Sequence, residues 1–301
     1  MNETPTRSLT QRWVAEHLPP RPARAHKGDF GRLLVLAGST EYPGAAMLTG
    51  LGAMRAGAGT VRVAVAESVA ARLAGIVPEL TWMVLDEEAP GLIAPSGWRR
   101  VTTEAGRYDA VVIGPGLGGQ PATQRRTRNL VASLRLPSVI DADGLNALAA
   151  GGNWWASLRA PVVLTPHPGE FARLAGGGES PSDDEGERSE VARDAATRWG
   201  QVVVLKGSNT IVAGPDGALL RSDIATPALA TAGTGDILAG VIGAFLAVGL
   251  DPTVAAGCAV AIHGAAGLLA EDRIGRAGVM ARDVAGLLPE AMEQLRGDRR
   301  Q

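Results

Sequence analysis

Short runs of β-branched and aliphatic residues recur along the chain, separated by longer stretches in which Ala, Gly and Leu return at helical spacing. The runs at 32–36, 60–65, 110–113, 138–141, 161–164 and 202–205 predict strands. Several are apolar throughout, as strands buried on both faces are. Between them the spacing predicts helices over 45–56, 123–133, 169–174 and 189–199, followed by a helical C-terminal third. Strand and helix in alternation predict an α/β fold, a doubly wound, mostly parallel sheet flanked by helices. Ligands in such sheets lie beyond the carboxyl ends of the strands. Chemically distinctive residues follow the predicted strand ends here: Ala37-Gly38-Ser39, Gly114-Pro115-Gly116, Asp141, Thr165-Pro166-His167 and Lys206-Gly207. Residues 176–190, rich in Gly, Ser, Asp and Glu, predict an exposed loop.

Composition narrows the classes. Of 301 residues 46% are hydrophobic and only 4% aromatic, so a large core must be built from Ala, Val, Leu and Ile. The net charge of −2, with no cluster of Lys and Arg interleaved with aromatics, argues against nucleic acid as a partner. Cys258 is the single cysteine; it lies in an Ala-rich run and reads as a buried, inert thiol. The first 24 residues lack the apolar core of a leader, and no stretch of about 18 uninterrupted apolar residues occurs. A cytoplasmic protein without a membrane span is expected.

The most informative stretch is Thr231-Ala-Gly-Thr-Gly-Asp-Ile-Leu-Ala-Gly240, a glycine-rich turn running into an apolar helix. The first amides of a helix lack partners within it and carry partial positive charge, which suits phosphate. Gly233 and Gly235 allow close approach, Thr234 adds a hydroxyl, and Asp236 stands where a reacting hydroxyl would give up its proton. An ordinary N-cap is the alternative; the flanking glycines favour phosphoryl transfer. Lys206, with Gly207, Ser208, Asn209 and Thr210 behind it, offers a cation and polar donors, or else a solvated hairpin. His167, bracketed by two prolines, is held at a strand end, and Glu170 would organise a hydrated magnesium ion or favour the first turn of a helix. Gly114-Pro-Gly-Leu-Gly-Gly119 matches the dinucleotide-binding GxGxxG pattern, but at least two strands precede it and Pro115 removes an amide; a turn lining a substrate cleft is the better reading. Four scattered histidines exclude zinc, Asp141 and Asp143 lack the rest of a calcium loop, and no Walker loop is present.

These pieces, with His26-Lys-Gly-Asp-Phe-Gly31 and Pro43-Gly-Ala-Ala46, resemble the ADP-dependent NAD(P)H-hydrate dehydratases of the ribokinase-like superfamily. The resemblance spans about His26 to Leu288. It implies one ribokinase-like domain over 26–290, an N-terminal extension over 1–25 and a C-terminal tail over 291–301. It also implies dehydration of the S epimer of hydrated NADH or NADPH, with ADP or ATP as co-substrate, Mg²⁺, and release of AMP and phosphate. Asp236 would be catalytic. The hydrate would meet Ala45, Ala46, Gly116, Gly118 and His167, and the nucleotide Lys206, Gly207, Ser208, Asn209, Thr210, Gly233, Thr234, Gly235 and Asp236. Glu170 would reach the metal through water. A homotetramer is expected, as is an epimerase on a separate chain, because only some 25 residues precede the match. Related vitamin kinases tend to carry Asn where this chain has His167. A kinase of a small thiazole or pyrimidine alcohol is the alternative enzyme, and a nucleotide sensor without chemistry a third reading, which Asp236 disfavours because a carboxylate beside phosphate costs affinity.

Overall fold

The computed structural model describes residues 6–297. Its strands are β1 (Arg7–Ser8), β2 (Arg32–Leu36), β3 (Thr60–Ala66), β4 (Thr81–Leu85), β5 (Glu87–Ala89), β6 (Leu92–Ile93), β7 (Ala110–Ile113), β8 (Ser138–Ile140), β9 (Val162–Leu164), β10 (Val202–Leu205), β11 (Ile211–Ala213) and β12 (Leu219–Arg221). Its helices are α1 (Gln11–His17), α2 (Pro43–Arg55), α3 (Glu67–Leu73), α4 (Pro95–Glu104), α5 (Pro121–Ser133), α6 (Asp143–Ala149), α7 (Pro168–Leu174), α8 (Glu185–Trp199), α9 (Thr234–Ala247), α10 (Pro252–Ile274) and α11 (Ala281–Arg296).

Ten strands form one sheet in the order β1-β12-β11-β10-β9-β8-β7-β2-β3-β4, parallel except that β11 runs against both its neighbours. The central strands β2 and β7 to β10 carry almost wholly buried residues, which is why their sequences are apolar runs rather than alternations. The chain leaves β2 for β3 and β4 on one side, then returns to β7 on the other. The carboxyl ends of β2 and β7 therefore flank the point where the winding reverses, the place where open α/β sheets form a crevice. Gly38 after β2 donates its N–H to the Pro115 carbonyl after β7 at 2.7 Å, tying the two ends together.

Helix α9 lies over β2, β7 and β8 and packs closely along α2. Glycines make this approach possible. A β-carbon at Gly240 would collide with the Thr49 carbonyl, and one at Gly52 would sit 2.5 Å from the Ile237 carbonyl. Helix α10, long and apolar enough to cross a membrane by length and composition, has 72% of its most apolar window buried in the molecule. Expecting no such segment overlooked a stretch in which Gly, Thr and His interrupt the apolar residues without lowering the average. Its apolarity is met by packing against α9 and α11.

One expectation needs correction. The acidic stretch 176–190 is not loop throughout: α8 begins at Glu185, where Asp184 caps the helix by accepting from the Glu187 N–H at 2.9 Å, and acidic first-turn residues favour the helix dipole. Of the expected N-terminal extension, the described residues pack on the domain. β1 adds to the sheet edge beside β12, and Trp13 and Val14 of α1 enter the core. At the other end α11 runs to Arg296, past the boundary set at 290; residues 298–301 of the expected tail lie outside the described residues, as do 1–5.

Candidate active site

The turn before α9 has the geometry an anion site requires. Gly233 is the N-cap with φ +91°, a conformation that side-chain-bearing residues rarely adopt. The Thr234 hydroxyl lies within hydrogen-bond distance of the Leu229 and Thr231 carbonyls, at 2.8 and 2.9 Å, and so closes the loop on itself. The amides of Gly235 and Asp236 have no partner among the described residues. Beside them Asp236 is half-buried, and its carboxyl is pushed up to about 7. Burial is the main cause, repulsion from Asp141 the next, with Lys206 opposing and Asp143 adding. A base poised near neutrality is what removal of a hydroxyl proton calls for.

Facing this turn is a cluster built from three strand ends. Lys206, after β10, places Nζ 2.9 Å from Asp141 Oδ1 and 3.7 Å from Glu170 Oε2. Burial pulls the ammonium down, but Asp141 and Glu170 outweigh it and hold Lys206 above its ordinary value. Asp141, after β8, is buried and also accepts from the Thr165 hydroxyl at 2.7 Å. Sequence reasoning placed Asp141 at a strand end without giving it a role; its partner lies 65 residues away, a distance that no local pattern bridges. The next residue, Ala142, has φ +49° and ψ −117°, a strained conformation for a residue with a side chain. It separates two carboxylates that point to different duties: Asp141 to Lys206, and Asp143 to the Gly118 N–H at 2.8 Å.

His167 caps α7. Its Nδ1 accepts from the Gly169 N–H at 3.1 Å, and its own N–H donates to Glu170 Oε2 at 2.8 Å, a reciprocal capping box. About half of the imidazole remains exposed. Glu170 is buried, with one oxygen on the His167 amide and near Lys206 and the other 3.6 Å from His167 Nε2. Among the described residues no three His, Cys, Asp or Glu side chains are grouped to hold a metal ion. Beyond the ends of β2 and β7, Ala46 packs against Gly38, and a β-carbon at Gly116 would sit 2.9 Å from that of Ala45.

A cavity of about 550 Å³ runs away from the turn before α9, lined in part by Lys206, Gly207, Ser208, Thr210, Thr234 and Gly235. Asn209 is off its wall, and so are Ala45 and Gly116, which meet beyond the ends of β2 and β7, and His167, which stands beyond the end of β9. Another part of the wall is apolar, formed by Ile224, Pro227, Leu229, Leu238 and Val260, with His263 among them. Burial pushes His263 down to about 4, so it is neutral. Sequence reasoning missed this wall. Its one signal is Val260, His263 and Gly264, a single helix face carrying the sole histidine of an Ala-rich run.

Similarity to known proteins agrees with this geometry. The family model for NAD(P)H-hydrate dehydratase matches residues 33–290. The bifunctional NAD(P)H-hydrate repair enzyme Nnr of Moorella thermoacetica is 38% identical over 96% of this chain and 54% of that protein; the chain thus spans about half the length of such relatives. The crystal structure of the ADP/ATP-dependent NAD(P)H-hydrate dehydratase of Bacillus subtilis, co-crystallised with ATP and Mg²⁺, superposes with a TM-score of 0.81 at 34% identity, covering 98% of this chain and 99% of that one. A hydroxyethylthiazole kinase from Pyrococcus horikoshii, at 16% identity, covers 94% of this chain and 95% of its own with a TM-score of 0.64, and shares the fold alone. The architecture is ribokinase-like, and the extent of the family match, with full-length likeness to the Bacillus enzyme, shows that the chain belongs to the NAD(P)H-hydrate dehydratase family.

Proposed function

We propose that the protein uses ADP, or ATP, to dehydrate the S epimer of hydrated NADH or NADPH, releasing the reduced cofactor, AMP and phosphate when ADP is used. The observation that carries this reading is the free-amide turn at Gly235 and Asp236, with a carboxyl near neutrality beside the Lys206 cluster. The ring hydroxyl would attack the β-phosphorus of ADP while its proton passes to Asp236. An oxygen–phosphorus bond forms, and the bond to AMP breaks. Hydroxide is a poor leaving group and phosphate a good one. The C6–O bond then breaks with its electrons going to phosphate, C5 gives up a proton, and the ring double bond returns. The amides at the α9 N-terminus would bear the charge gathering on the transferring group. Ala45, Ala46, Gly116, Gly118 and His167 would hold the hydrate, and Lys206 to Thr210 with Gly233 to Gly235 the nucleotide.

The residues suit magnesium that arrives on the nucleotide. Carboxylates of Asp141, Asp143, Glu170 and Asp236 outnumber the Lys206 cation, yet no ready cage exists among the described residues. The ion would offset phosphate charge, with Glu170 reaching it through water. A homotetramer in the cytoplasm and an epimerase partner belong to the same reading on the resemblance. The test is direct. Purified protein with Mg²⁺, ADP and the S hydrate should restore absorbance at the reduced nicotinamide band, with AMP and phosphate formed one for one. Persistence of the hydrate with both ADP and ATP, while a thiazole or pyrimidine alcohol is phosphorylated, assigns the protein to the kinases.

A further inference from the structure

Helix α8 turns a stripe toward the sheet: Ala192, Ala195, Ala196 and Trp199 are buried, and so, one turn earlier on the same face, is Arg188. Burying a guanidinium is costly unless its donors are used. Here Nη2 donates to the Lys206 carbonyl at 3.1 Å and the Leu205 carbonyl at 3.3 Å, while Nη1 is buried without a partner among the described residues. Lys206 is thereby held at three points. Its N–H goes to the Pro166 carbonyl at 2.9 Å, its carbonyl to Arg188 and its ammonium to Asp141. The next carbonyl, of Gly207, accepts from the Thr210 hydroxyl at 3.1 Å, and that of Thr210 from the Ser222 N–H at 3.0 Å. No partner is found among the described residues for the N–H groups of Gly207, Ser208, Asn209 or Thr210. Three of the five carbonyls from Lys206 to Thr210 are held within the fold, and the four N–H groups after Lys206 are left for something else.

We propose that Arg188 is a positioning residue for the nucleotide: from behind the turn it holds the carbonyls at the end of β10, which leaves the following amides and Lys206 set to receive a nucleoside diphosphate. The inference rests on the reading that this turn binds the nucleotide. Gly207 is part of the same device. A β-carbon there would collide with Arg188 Nη2 and lie 2.9 Å from Cζ and 3.2 Å from Nη1, so the residue beside the guanidinium must be small.

Arg188→Lys keeps the charge but cannot span two carbonyls, and Gly207→Ala pushes the guanidinium off them without demanding an unusual φ. Each should raise KM for ADP about tenfold or more, leaving KM for the hydrate and kcat at saturating ADP within about twofold. In the double variant the shorter lysine leaves room for the methyl group, so the two effects should combine to much less than their product. Unchanged KM for ADP in Arg188→Lys, or effects that simply multiply, would overturn the proposal. If Arg188→Lys does not fold, Gly207→Ala decides alone, and unchanged KM for ADP there overturns it too. Failure of the wild type to bind ADP in calorimetry removes the functional reading itself, whereas normal ADP binding with insensitive variants removes only the role of Arg188.

Discussion

Two glycine-rich turns, each leading toward a helix, meet opposite fates. At Gly114 to Gly118 three of the four N–H groups are used by the fold: Gly114 donates to the Leu36 carbonyl, Leu117 to that of Gly114, and Gly118 to the Asp143 carboxylate, while that of Gly116 has no partner among the described residues. An acid already occupies the place a phosphate would need. At Gly233 to Asp236 the same residue types open a fourteen-residue helix, the amides of Gly235 and Asp236 stay free among the described residues, and a lysine lies opposite. A β-carbon at Gly235 would sit 3.6 Å from Lys206 Nζ. The glycine pattern supplies flexibility in both places. What makes an anion site is unspent donors together with a cation, and only the second turn has them.

The comparison can be broken most sharply at Asp236. Asp236→Asn can still favour the helix start but cannot take a proton as a carboxylate does. Its single-turnover rate should fall by about 10²–10⁴ while ADP affinity holds or improves. A variant keeping more than about a tenth of the wild-type rate removes Asp236 from the role of base. A matched pair of alanines sharpens the contrast between the turns. Gly235→Ala fits the fold sterically but places a methyl group where phosphate would approach, so ADP binding should weaken about tenfold or more with Tm nearly unchanged. Gly118→Ala, at φ +86°, should cost about 1–2 kcal/mol of stability and leave ADP binding alone. Calorimetry and thermal melts on both distinguish the cases, and the opposite pattern would make the first turn the phosphate site.

His167, beyond the end of β9, tests where the hydrate is held. His167→Asn retains a capping side chain but loses the imidazole, so KM for the hydrate should rise severalfold with AMP affinity and Tm little changed. Parallel losses for both ligands place the side chain at the phosphates instead. The smallest effect expected is one of stability against pH. The Asp236 carboxyl stands at about 7 in the folded chain against an ordinary 3.8, so the native state binds its proton more tightly than the unfolded chain does. Stability is therefore lost as pH rises from about 4 to about 7. Asp236→Asn removes that loss: its gain in Tm should be complete above about pH 7 and disappear toward pH 4. A gain independent of pH would mean that the carboxyl is not held up by burial and by Asp141.

Much of this protein is legible in local pattern. β2, β7 and β10 have the ends predicted for them, because a strand buried on both faces is apolar along its buried length; Gly114 and Lys206 end the runs of β7 and β10 directly, and Gly38 follows β2 after Ala37. The glycine turn running into α9 was readable for a similar reason, since helix starts are decided by a few adjacent residues, whereas the capping role of His167 was not read from the sequence. The start of α8 was hidden because Ser, Asp and Glu serve loops and first turns equally. The sequence by itself determined six of the twelve described strands, the order of chemistry-bearing turns and the family; the outer strands β1, β4, β11 and β12 and the small pair β5 and β6 were not read from it. Only the tertiary structure decided which acid holds Lys206, which residues from 222 to 264 wall the cavity, and that Arg188 faces inward rather than into water. Those outcomes depend on sheet order and register, which bring together residues tens of positions apart, and a charged residue on a helix gives no local sign of whether a carbonyl or the solvent will meet it.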